Sequence, residues 1–184
     1  DIQWRAAEAL GTLGGAVVDD LLTVLGHHDA RVRLGAIEAL GDIGDRRALR
    51  PLIGVLSRDG SSEVRWAAAL ALGNLGDGSA IPPLVQALQD PDKYVRLGAA
   101  LALGRLGREP GSGEEKASLL VARQEWADLP ALGPEAAGPL LRATRDRDPG
   151  IRARAIGILG EIGDRQAGEA CDPALRDPDS GVRW

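Results

Sequence analysis

Phenylalanine is absent from the 184 residues and tyrosine occurs once, so apart from four tryptophans the core has to be built from Leu, Ala, Val and Ile. Small side chains of this kind favour close helix–helix contact over a centre filled by a few large groups. The single cysteine, Cys171, excludes an intramolecular disulfide and a cysteine metal cluster. No apolar run approaches the ~18–20 residues that span a bilayer, and no signal peptide is visible, so a cytoplasmic protein without membrane contact is expected. Lysine is nearly missing (Lys93 and Lys116 only), and the net charge of −5 argues against nucleic acid as a partner. Histidine is confined to the adjacent His27 and His28, which cannot supply a multi-histidine metal centre and read as a solvated turn. No glycine-rich phosphate loop follows a strand. No catalytic residue, cofactor or metal site is expected.

What is present is repetition. "IQWRAAEALGTLG" begins at Ile2, "VRLGAIEALGDIGD" at Val32, "VRWAAALALGNLGD" at Val64, "VRLGAALALGRLG" at Val95, "IRARAIGILGEIGD" at Ile151, and "VRW" at Val182. The starts are spaced by 30, 32, 31, 56 and 31 residues, so one unit carries about 25 extra. Between them lie second apolar-periodic segments, such as "RALRPLIGVLSRDG" and "AIPPLVQALQDPD", with Pro51, Pro83 and Pro139 placed early, where a helix tolerates proline. Asp29, Asp92, Asp148 and Asp179 stand three residues before the Val or Ile and are predicted N-caps. Each unit reads helix, turn, helix, and stacked units share one core. Cys171 falls where Leu84 and Leu140 stand and reads as a small buried apolar residue.

The pattern "VRxxAAxALGxLGD" followed by "AIPPLVQAL" and "DPD" resembles the HEAT-like repeat of phycobilisome (bilin) lyase subunits, and is similar to the artificial αRep binding proteins. The resemblance covers nearly the whole chain except residues 109–133. It implies an all-α, right-handed α-solenoid of helix-turn-helix repeats, about 31 residues each, with one inserted helical segment. Residues 1–184 are expected to form a single solenoid. Because the chain starts and stops inside VR-type helices, it is expected to be part of a longer array, and the uncapped ends leave room for end-to-end or homo-oligomeric contacts.

With the Val or Ile of each inner helix as position 0, positions 0, +4, +7, +8 and +11 converge on one buried face, and +2, +5, +6 and +9 point away. The resemblance implies that this free face lines the concave groove, and that positions just before the Val, with +2, +3, +6 and +10, carry recognition. Transferred to this chain, these are Trp4, Leu34, Trp66 and Leu97 at +2; Glu8, Glu38, Leu70 and Leu101 at +6; Asp42, Asn74 and Arg105 at +10; Arg154 at +3; and Tyr94 before Val95. An apolar centre with an acidic rim is interface anatomy. The same tryptophans and leucines would also suit wedging between stacked helices. The arginine at +1 (Arg33, Arg65, Arg96, Arg152, Arg183) is expected to form a structural ladder with the joining aspartates, a pattern from which Gln3 departs. The +9 glycines suggest close backbone approach or room for a ligand.

The insertion, residues 109–133, opens on "EPGSG", and Ser112 with Glu115 fits a capping box. A helix is predicted from Glu114 to Ala127, with Leu119, Ala122 and Trp126 on one face. Trp126 is its expected contact residue, whether the helix serves local packing or acts as a lid or recognition element. The functional reading is a non-catalytic scaffold that binds a partner peptide, helix or domain. The resemblance also implies a bilin lyase or chromophore-handling chaperone subunit, with Arg105 and Arg154 available to propionates. A HEAT-type nucleic-acid enzyme ranks last, because its groove has to be basic. The His–Glu pairs with which deoxyhypusine-type hydroxylases of this repeat class hold iron are missing.

Overall fold

A computed structural model describes residues 16–163, 168 and 173–183. Trp4, Glu8, Cys171 and Trp184 lie outside the described residues. Every regular element among the described residues is helical. In chain order they are α1 (16–24), α2 (Ala30–Ile43), α3 (Leu49–Arg58), α4 (Ser62–Leu75), α5 (Ile81–Ala87), α6 (Lys93–Arg105), α7 (Gly113–Arg123), α8 (Ala137–Ala143) and α9 (Pro149–Ile162), with short 3-10 turns between several of them. The fold class is the α-solenoid. By internal contact the chain divides into two compact units. Unit 1 comprises residues 1–87 and 101–108, and unit 2 comprises 88–100 and 109–184.

Local chemistry sets the helix ends. The Asp29 carboxylate accepts the Arg31 N–H at 2.9 Å to start α2, and Gly44 (φ 72°) ends it in the left-handed region that suits glycine. Asp148 and Gly163 bracket α9 in the same way. Ser61 replaces aspartate before α4, and Asp92 accepts the Tyr94 N–H at 2.9 Å before α6.

In unit 1, α4 packs against both α2 and α3, and α3 against α5. The core is aliphatic: Ile37, Leu40, Leu52, Leu72 and Leu84 are fully buried. Neighbouring inner helices touch through glycine. A Cβ built on Gly41 would lie 3.0 Å from the Ala71 Cβ, and one on Gly73 would lie 2.8 Å from the Ala102 Cα. At Gly41 and Gly73 the +9 glycine is therefore a close approach, whereas a Cβ on Gly160 would meet nothing within 4 Å. This corrects the expected outward direction of +5, and that of +9 in α2 and α4, while Gly104 and Gly160 at +9 are exposed as expected. Ile37, Ala69 and Ala100 at +5 are buried, as are Gly41 and Gly73. In α4 the cause is visible: the helix has neighbours on two sides, so more than half its circumference is covered. In α4 the free face narrows to +2, +6 and +10, whereas in α2 Val32 at 0 and Ile43 at +11, expected to be buried, are exposed.

In unit 2, α7 and α8 pack together, and α8 against α9. Ala117, Leu129, Ala136, Leu140 and Ala155 form a core from which solvent is excluded. Two of these, Ala117 and Leu129, belong to the insertion, so that segment builds the core of its unit.

Candidate functional site

Helices α2, α4 and the C-terminal end of α6 together form a depression of about 340 Å³ in unit 1. Trp66 and Leu70, one helical turn apart on α4, give it an apolar floor. Trp66 is 36% exposed and Leu70 is half-buried. Glu38 and Asp42, likewise one turn apart on α2, line the acidic side. Arg105 lines the site from α6, where its Nη1 donates to Asn74 Oδ1 at 2.6 Å. The depression is accessible because the wall residues next to the floor are Gly41, Ala67 and Ala71.

Glu38 and Asp42 are exposed and take part in no hydrogen bond or ion pair among the described residues. Of the sequence-predicted set, the depression gathers Glu38, Trp66, Leu70 and Arg105. Leu101 is exposed in the same unit and Leu34 is half-buried, but neither lines it. Ala71 belongs to the face expected to be buried and Gly41 to a position expected to give close approach or room for a ligand, and both shape the wall. Their signal was the regular small residue at +9 and +7.

Unit 2 holds the remaining predicted residues. Tyr94 is 59% exposed, with Lys93 Nζ 5.2 Å from its ring centre. Leu97 is half-buried and Arg154 is exposed. Trp126 is half-buried and packs on the unit 2 core. The predicted helix ends four residues early, at Arg123, because Gln124 turns left-handed (φ 59°). Trp126 consequently sits in a 3-10 turn, Trp126–Asp128. Ser112 caps α7 as expected, through the Glu115 N–H at 3.1 Å, and the Glu115 carboxylate accepts the Gly111 N–H at 2.8 Å.

Three of the +1 arginines, Arg33, Arg96 and Arg152, form the expected ladder with one difference in partner, and Arg65 and Arg183 donate to join carbonyls in the same way. Arg33 donates Nε and Nη2 to the Asp59 carboxylate at 2.7 and 2.8 Å, and Nη1 to the carbonyls of His27 and His28 at 2.7 and 3.1 Å. Arg152 does the same with Asp177 and the carbonyls of Asp146 and Arg147, and Arg96 with Asp146 and the carbonyls of Asp90 and Pro91. The accepting aspartate stands two residues before the helix cap. Sequence reasoning had singled out the cap itself, although the recurring D-x-D spacing carried the signal. Arg152 holds the Asp177 carboxyl below the usual carboxylate range. Burial pushes Asp59 up, but hydrogen bonds from Arg33 and from the Ser61 N–H more than reverse this and leave it lowered. Outside the ladder, the Ser79 N–H and Arg46 hold Asp77 down at about 2.

His27 occupies the place of the accepting aspartate at the first join. Its Nδ1 accepts the Asp29 N–H at 3.0 Å, and its ring lies 4.3 Å from that of His28. No cluster of three or more His, Cys, Asp or Glu side chains placed to hold a metal occurs among the described residues. No helix among them is long and apolar enough to cross a membrane.

Residues 1–60 and 49–128 match a family model described as HEAT repeats, together more than half of the chain. No curated protein matches. Among solved structures, the chain is similar to human deoxyhypusine hydroxylase in complex with glycerol, at 23% identity over 100% of this chain and 87% of that one, with a TM-score of 0.48. It is similar to the complex of CpcE and CpcF of phycocyanin lyase from Nostoc sp. PCC7120, at 21% identity over 90% and 73%, with a TM-score of 0.48. It is also similar to an engineered protein, at 22% identity over 90% and 74%, with a TM-score of 0.41.

Proposed function

Because the chain belongs to the HEAT-repeat family, we propose that it is a non-catalytic protein-interaction scaffold whose unit 1 depression receives a segment of a partner protein. The observation that carries this reading is Trp66. A tryptophan removes roughly 150–250 Å² from water when covered, and here it stays 36% exposed on a packed helix beside two unpaired carboxylates. Tryptophan is enriched at the centre of interface hot spots, and charged residues belong at the rim. In unit 2, Leu97 occupies the position equivalent to Trp66 and is assigned the same role, with Tyr94 at −1 and Arg154 at +3 beside that position in the repeat.

The test is a pull-down from the source organism with the chain as bait, alongside Trp66→Ala and Leu70→Ala variants checked for unchanged helicity. A partner retained by the parent chain and lost by both variants is expected. A partner set that ignores both substitutions overturns the reading.

A further inference from the structure

The depression has two chemically distinct sides, and their spacing restricts what can lie across it. Glu38 and Asp42 present two carboxylates on α2 with no partner among the described residues. Trp66 and Leu70 present an apolar surface on α4, next to those carboxylates. Arg105 on α6 uses one N–H on Asn74, and its guanidinium has five. A cation over the tryptophan face gains from the ring quadrupole as well as from the carboxylates, so this side selects lysine or arginine. The Arg105 side selects a carboxylate.

The three helices stack through glycine against alanine, which puts neighbouring axes near the short end of the ~8–10 Å range. Two such steps span roughly 16 Å. An extended chain advances about 3.3 Å per residue and points alternate side chains to one face. Three same-face residues therefore cover about 13 Å, and long side chains at the two ends close the difference.

We infer that the occupant is an extended partner segment crossing α2, α4 and α6 with a basic–any–apolar–any–acidic pattern, read in either chain direction. Its cation sits among Glu38, Asp42 and Trp66, its apolar side chain on Leu70, and its carboxylate on Arg105. This rests on the reading of the depression as a docking site.

The probe is a displayed library of random 12-residue peptides, selected against the immobilised full chain and, in parallel, against Trp66→Ala. Enriched sequences are expected to carry the pattern. As fluorescein-labelled peptides they are expected to lose tenfold or more in affinity to the double variant Glu38→Lys, Asp42→Lys. Changing the basic residue of the peptide to glutamate should recover binding to that double variant, which a misfolded protein would not allow. Peptides that need Trp66 but lack the basic residue, or bind the double variant unchanged, overturn the pattern and leave the docking site standing. If every peptide selected by the parent chain is selected equally by Trp66→Ala, the docking reading falls, and the pattern with it.

Discussion

A methyl group at Gly73 would meet the Ala102 Cα at 2.8 Å, and a backbone atom cannot swing aside as a side-chain tip can. Alanine is worth about 1 kcal/mol over glycine in a helix interior, while overpacking costs about 1–3 kcal/mol. Gly73→Ala is therefore expected to destabilise by about 1 kcal/mol. Gly160 holds the same +9 position in α9, but a Cβ there meets nothing within 4 Å. Gly160→Ala should stabilise by about 0.5–1 kcal/mol, and paired urea titrations decide the sign of each. A second residue-scale contrast concerns Arg96, which is 8% exposed and engaged with Asp146 and two carbonyls. Its replacement by alanine leaves a buried carboxylate unpaired and is expected to cost about 3 kcal/mol in the same titration. Lysine, a point charge without the fork, should recover only part of that loss. The +1 arginines were legible from their recurrence alone. Their acceptors were misplaced by two residues, because a D-x-D join offers two carboxylates and only folding assigns one to the cap and the other to the ladder.

Helix boundaries followed from capping residues wherever a capping residue existed. Asp29, Asp92 and Asp148 act as expected, and Gly44, Gly76 and Gly163 close α2, α4 and α9 with φ values of 68–72°. The insertion shows the limit of that reading. Its start was legible from Ser112 and Glu115, but α7 stops at Gln124, where neither glycine nor proline marks an end. The turn there precedes Leu129, which is fully buried, so tertiary packing prevailed over local propensity. The cap itself is testable. Ser112→Ala is expected to cost about 1 kcal/mol and to speed amide hydrogen exchange in the first turn of α7, leaving α9 unaffected. The outward assignment of +5 failed for a related reason: helical periodicity reports the strongest apolar face and not how many neighbours a helix will have.

For the whole molecule, acid sensitivity follows from the carboxylates held below their usual range. Asp77 titrates at about 2, with Asp45, Asp59, Asp148 and Asp177 also lowered. A group whose folded pKa lies below its unfolded value near 3.9 stabilises the fold above that value, and the contribution is lost as pH falls through the folded pKa. Melting temperature is therefore expected to hold steady above pH ~5 and to fall progressively below pH ~4. Asp77→Asn should flatten part of the slope between pH ~4 and ~2, as read by circular dichroism melts. At this scale the repeat period made the fold class legible in advance, whereas the depression required coordinates, because it depends on which small residues bring α2, α4 and α6 together. The join chemistry bears on what each rung requires. At residues 59, 146 and 177 a carboxylate receives the +1 arginine of the unit before it, so each of these rungs is completed by an arginine from upstream. At residue 27 it would meet an imidazole, and the sequence one unit earlier carries Gln3 where arginine recurs later. A rung at the first join would therefore need two substitutions together, an aspartate at residue 27 and an arginine at the +1 position one unit earlier.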